Sequence, residues 1–71
     1  MRRIRDLRDD ARLSQAEVAA LLHVAQKTYS DYELGKTRLS TDNLLILAKL
    51  YNVSVDYISG ASDIRKPFPT K

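Results

Sequence analysis

Between His23 and Lys36 the chain reads HVAQKTYSDYELGK. Wound at about 100° per residue, Gln26, Lys27, Ser30 and Asp31 lie along one edge of a helix, with Ala25, Tyr29 and Tyr32 along the opposite one. The polar edge combines a carboxamide, a three-donor ammonium, a hydroxyl and an acceptor-only carboxylate. Those groups match base edges in a duplex groove: Gln pairs bidentately with adenine, Lys donates to guanine, Asp accepts from the cytosine amine, and Ser suits several bases. An ordinary solvated helix face has the same look, and Lys27 and Asp31, four apart, are spaced for a surface ion pair worth little. These four residues alone leave both readings open.

The surrounding pattern describes how such an edge would be held. Five short helices are expected, with no strand signal. The first covers about Arg2–Ala11, with Ile4, Leu7 and Ala11 on one stripe. The second opens at SQAE, where Ser14 and Glu17 can form a capping box, and runs through Val18, Ala19, Leu21 and Leu22. The third covers about Gln26–Leu34 and stops at Gly35. Ser40 or Thr41 caps the fourth, whose buried face is Leu44, Leu47, Ala48 and Tyr51 and whose terminator is Asn52. Ser54 caps the fifth, VDYIS, which Gly60 ends. Only His23, Val24 and Ala25 separate the second helix from the third, so the two must cross at a large angle, as in a helix-turn-helix. Residues 1–60 read as one domain; 61–71, with two prolines and only Ile64 and Phe68 as large apolar residues, read as a poorly ordered tail.

Composition narrows the function classes. The 71 residues suffice for one small domain with a marginal core. There is no cysteine, hence no disulfide framework or thiolate metal site. A lone histidine, no convergent carboxylate pair and no glycine-rich phosphate loop argue against an enzyme, and no cofactor, metal or small-molecule ligand is implied. No apolar run approaches the ~18 residues of a membrane span, and the basic start lacks the apolar stretch of a secretory signal, so a cytoplasmic protein is expected. Net charge is +3, which suits a polyanionic partner. Five arginines face three aspartates in residues 1–12, and three cations face no acid in 64–71.

The stretch LSQAEVAALLHVAQKTYSDYELGK resembles the helix-turn-helix of the Cro/phage-repressor-like family of bacterial and phage transcription regulators. The likeness extends from IRDLRDDARLSQ through DNLLILAKLYNVSVDYISG, with Ala19 where the two helices touch. It implies an all-α, five-helix domain of the lambda-repressor-like DNA-binding type, with the helix-turn-helix formed by helices two and three. It also implies a sequence-specific, double-stranded DNA-binding regulator, a repressor of phage or mobile-element type. Residues 26–34 would lie in the major groove, and a homodimer would occupy two operator half-sites about one helical turn (~34 Å) apart. Position by position, Gln26, Lys27, Ser30 and Asp31 match base-reading residues. Gln15, Thr28, Lys36, Arg38 and Asn43 match backbone-contacting ones, and Arg8 is a weaker phosphate candidate whose alternative is a solvated arginine.

Several residues depart from the family pattern. His23 stands where glycine is usual in the turn, a position that calls for a positive φ. Ala25 replaces the usual Ser or Thr cap, at a cost on the order of 1 kcal/mol. Asp31 sets a negative charge toward a polyanion. Tyr29 and Tyr32 replace aliphatic residues; they are expected in the core with their hydroxyls at the domain edge, within reach of a phosphate. The candidate dimer surface is helix five with Leu50, Tyr51, Val53, Tyr57 and Ile58, most of which are expected to pack in the core, leaving Tyr57 and Phe68 partly free. Asp31, Ala25 and the modest charge keep a second possibility in view: an antitoxin-like or protein-interaction module whose helix-turn-helix no longer reads bases.

Overall fold

The computed structural model describes residues 2–69. Among these, the only regular elements are five α-helices: α1 (Arg2–Asp10), α2 (Gln15–Leu22), α3 (Gln26–Leu34), α4 (Thr41–Tyr51) and α5 (Val55–Ser59). The chain divides into two compact units, Met1–Leu39 and Ser40–Lys71.

In the first unit, α1, α2 and α3 carry the expected apolar stripes. Ile4, Leu7, Val18, Ala19, Leu22, Tyr29 and Tyr32 are buried. The two tyrosine rings meet edge to face at 6.2 Å, the geometry their quadrupoles favour. Ala11 departs from expectation: α1 ends at Asp10 and Ala11 is exposed. The chain turns there because Arg12 adopts φ 58°, and the N–H groups of Arg12 and Leu13 donate to the carbonyls of Asp9 and Arg8 (3.0 and 3.2 Å). Leu21, expected in the apolar run of α2, is 47% exposed.

In the second unit, Leu47, Ala48, Val53 and Ile58 are buried, with Leu44 and Tyr51 half-buried. Ser40, rather than Thr41, caps α4 by accepting from the Asn43 N–H (3.2 Å). Ser54 does the same for α5 through the Tyr57 N–H (3.1 Å). After Gly60 the chain is not helical, yet it returns to the α4–α5 corner. The Ser54 N–H donates to the Lys66 carbonyl (2.8 Å), the Phe68 N–H donates to Asn52 Oδ1 (3.2 Å), and Lys49 Nζ stands 5.7 Å from the Phe68 ring centre. Thr70 and Lys71, the end of the expected tail, lie outside the described residues.

One closing device recurs. Four helix ends are halted by a residue in the left-handed region, namely Arg12, His23, Gly35 and Asn52. At each, that residue and its successor return N–H bonds to carbonyls three and five residues back, the pairing that satisfies the orphan acceptors of a helix C-terminus. Only one of the four is a glycine.

Candidate nucleic-acid interface

The interface is built on the α2–turn–α3 unit. Its first helix starts where sequence requires: the Glu17 N–H donates to Ser14 Oγ (3.0 Å), and the Ser14 N–H donates to Glu17 Oε1 (2.9 Å). The hydrogen bond from the Ser14 backbone, joined by one with its side chain, holds the Glu17 carboxyl below its ordinary pKa. The helix ends at His23, φ 58° and ψ 40°, the left-handed conformation expected there. Val24 N–H donates to the Ala19 carbonyl (3.0 Å), which fixes the turn against the buried Ala19. Ala25 then starts α3 in extended conformation with no side-chain cap.

Placed directly behind this turn, α3 presents the polar edge. Gln26 and Lys27 are exposed, and Ser30 and Asp31 are half-buried, while Tyr29 and Tyr32 face inward. Lys27 Nζ and Asp31 Oδ2 are 3.2 Å apart, with the Lys27 side chain 86% exposed and that of Asp31 21%. Thr28 is half-buried; Lys36 and Arg38 are exposed in the loop after Gly35. Asn43 belongs to the second unit, half-buried in the first turn of α4.

Arg8 is not the solvated arginine of the alternative reading, and its guanidinium is already occupied. Nε and Nη2 donate to Glu33 Oε2 and Oε1 (2.6 and 3.2 Å), Nη1 donates to the Leu13 carbonyl (2.9 Å), and Asp9 lies 3.4 Å away. The side chains of Arg8 and Glu33 are 12% and 5% exposed. Gln15 joins them, donating from Nε2 to Glu33 Oε1 (3.0 Å). Burial alone would push the Glu33 carboxyl up. Hydrogen bonds from Arg8, Tyr29 and Gln15, together with the Arg8 charge, outweigh burial and leave its pKa lowered. The bond to Glu33 raises that of Arg8 in turn. Charge-assisted, two-pronged bonds of this kind are the strong ones.

This network is what the sequence reading missed. Arg8 and Glu33 stand 25 positions apart, so no local spacing links them. The available signal was Glu33's place four residues after Tyr29, on the inward side of α3, where an acid requires a cation. The Tyr29 hydroxyl is also enclosed and turned to Glu33, rather than lying at the domain edge within reach of a phosphate. Two expected contact residues, Gln15 and Ser30, line the same shallow recess as Arg8 and Glu33.

Most of the candidate dimer surface packs inward, as expected: Val53 and Ile58 are fully buried, Tyr51 and Tyr57 are half-buried, and Leu50 is exposed, at 40%. The exposed apolar residues beside it on α4 are Leu45 and Ile46, at 36% and 39%. Phe68, by contrast, is half-buried as expected. Among the described residues there is no cluster of His, Cys, Asp or Glu able to hold a metal, and no helix is long and apolar enough to cross a membrane.

Residues 4–58 match the helix-turn-helix family. The chain is 40% identical over 65 residues to YobD, an uncharacterized HTH-type transcriptional regulator of Bacillus subtilis (strain 168), a match covering 92% of this chain and 58% of that protein. It is 37% identical over 65 residues to the HTH-type transcriptional regulator ImmR of the same organism, covering 92% and 51%. A putative HTH-type transcriptional regulatory protein of Methanothermobacter thermautotrophicus is 35% identical over 52 residues, 73% of this chain and 17% of that one. The chain thus spans little more than half the length of its two Bacillus relatives.

Proposed function

The chain belongs to the Cro/phage-repressor-like helix-turn-helix family, and from that membership we propose that it binds double-stranded DNA sequence-specifically as a transcription regulator. The observation that carries the reading is the outward polar edge of α3, Gln26-Lys27 with Ser30-Asp31 one turn on, held behind a three-residue turn. A helix so exposed fits the major groove, whose donor and acceptor pattern distinguishes all four base pairs. Gln15, Thr28, Lys36, Arg38 and Asn43 supply the backbone contacts that set register. Arg8 leaves that list, because its donors are committed to Glu33 and Leu13; it acts by holding the carboxylate that Gln15 leans on.

Repression by occlusion of a promoter, with a homodimer over two half-sites about 34 Å apart, completes the proposal. The exposed Leu45, Ile46 and Leu50 offer an apolar surface that a second copy can cover. Selection of binding sites from a random duplex pool tests the sequence-specific and dimeric binding, and transcription from a promoter carrying the selected site, with and without the protein, tests the repression. The expected product is a two-fold symmetric site, bound with an affinity that falls steeply with salt.

A second reading has its own observation. Cations of the first unit are paired internally, Arg5 with Asp9, Arg8 with Glu33 and Lys27 with Asp31, which lowers the field a phosphate backbone would meet. A protein-interaction or antitoxin-like module is the function left if the chain shows no affinity for duplex DNA even at low salt.

A further inference from the structure

We propose that Lys27 and Asp31 read a single base pair jointly, as one donor–acceptor unit that selects G·C with its guanine on the Lys27 side. The inference rests on the reading of α3 as the helix that enters the groove, and it adds which base pair the pair recognises and why.

Lys27 and Asp31 are one helical turn apart, with Nζ and Oδ2 at 3.2 Å. Their unequal exposure, 86% and 21%, makes Asp31 the short, anchored member and Lys27 the long arm folded onto it. Nζ keeps two further N–H donors and the carboxylate keeps its second oxygen. The pair therefore presents a donor beside an acceptor at about the separation of an N–H···O bond. The major-groove edge of a base pair carries the complementary arrangement, because an exocyclic oxygen and an exocyclic amine there are joined by just such a bond, ~2.9 Å long.

Order decides which pairs fit. With the donor on one side and the acceptor on the other, the unit needs oxygen facing Lys27 and amine facing Asp31. G·C offers O6 then N4–H₂, and T·A offers O4 then N6–H₂; C·G and A·T offer the reverse and set donor against donor. The two pairs that fit differ on the Lys27 side. Guanine adds the N7 acceptor there, and thymine adds a methyl group, which strips water from an ammonium and returns no bond. The expected ranking is G·C first, T·A second, and A·T and C·G last.

Charge favours the joint arrangement over two separate readers. A lone carboxylate facing a polyanion is repelled, whereas Asp31 beside Lys27 enters as a neutral pair. Their i,i+4 spacing also sets the two side chains next to one another before DNA arrives, although the pair adds little to stability.

The experiment measures operator affinity for the wild type, Lys27→Ala, Asp31→Ala and the double variant. Each binds a selected site in which every base pair of a half-site is replaced by the other three. Equal melting temperatures establish that the variants fold. The wild type is expected to fix G·C at one position by about 5- to 150-fold over C·G, the range for one good base contact. Both single variants should flatten that same position, and the double should lose no more there than either single. Single variants that relax two different base pairs, or losses that add in the double variant, overturn the joint reading while leaving α3 in the groove. A wild-type chain that selects no sequence removes the base-reading premise, and the proposal with it.

Discussion

Replacing Glu33 with alanine removes the acceptor for four donors at once: Arg8 Nε and Nη2, Gln15 Nε2 and the Tyr29 hydroxyl. The Arg8 guanidinium is left nine-tenths covered, with only the Leu13 carbonyl and the exposed Asp9 nearby. Breaking a fully buried ion pair by deleting one member costs about 3–5 kcal/mol, whereas an exposed pair is worth about 0–1 kcal/mol. The 5% and 12% exposures put this pair near the buried limit, and the groove beside it admits some solvent, so a loss of about 2–3 kcal/mol is expected. A core of this size supplies roughly 3–5 kcal/mol in all. The loss is then most of the stability, and at about 4–8 °C per kcal/mol the melting temperature falls by roughly 10–20 °C. Far-ultraviolet circular dichroism during heating measures it. Glu33→Gln, which keeps the shape and one acceptor, should fall between wild type and alanine. Acid gives an independent check. The folded-state pKa of Glu33 is depressed, so its contribution is present above the unfolded value of about 4.3 and disappears as pH drops through the folded value. The gap in melting temperature between wild type and Glu33→Gln should therefore close on acidification. A shift under about 3 °C for the alanine variant, with no pH dependence, would refute the assignment and return the pair to the ordinary surface class.

Other expectations are more local. His23→Gly removes a side chain from a left-handed residue at φ 58° and should stabilise by about 1 kcal/mol, raising the melting temperature without altering the preferred operator. Ala25→Ser supplies the N-cap that α3 lacks and should add about 1 kcal/mol, read in the same melts. Lys27→Ala and Gln26→Ala should change which sites emerge from a random pool. Lys36→Ala and Arg38→Ala should weaken every sequence alike and each reduce the salt slope by about one; equal losses by all four on every site would dissolve the division between base and backbone contacts.

The parts of this fold legible in sequence are those encoded locally. The Ser14–Glu17 box, the Gly35, Asn52 and Gly60 stops and the two-sidedness of α3 each follow from a handful of adjacent residues, and all appear as read. What stayed hidden involves residues far apart or backbone without a telltale side chain. Glu33 finds Arg8 across 25 positions. Arg12 takes a left-handed φ although arginine carries no signal for it. The buried face of α4, Leu44, Leu47, Ala48 and Tyr51, is as read and leaves Leu45 and Ile46 exposed, whereas the 47% exposure of Leu21 in the apolar run of α2 was not legible, because a helix apolar on most sides does not say which residues are covered.

The recurrent left-handed closures bear on how quickly the domain assembles. Each of those four helices is stopped by its own last residues, through bonds spanning three to five positions, and none of those stops waits for a distant partner. Helix limits can then be set on the timescale of helix–coil exchange, roughly a microsecond, before any tertiary contact exists. What remains is docking of short, transiently helical segments over short loops, a topology that folds in microseconds to milliseconds. Exchanging His23 or Arg12 for a residue that resists positive φ would be felt first as a slower search, as helices overran their ends and had to retract.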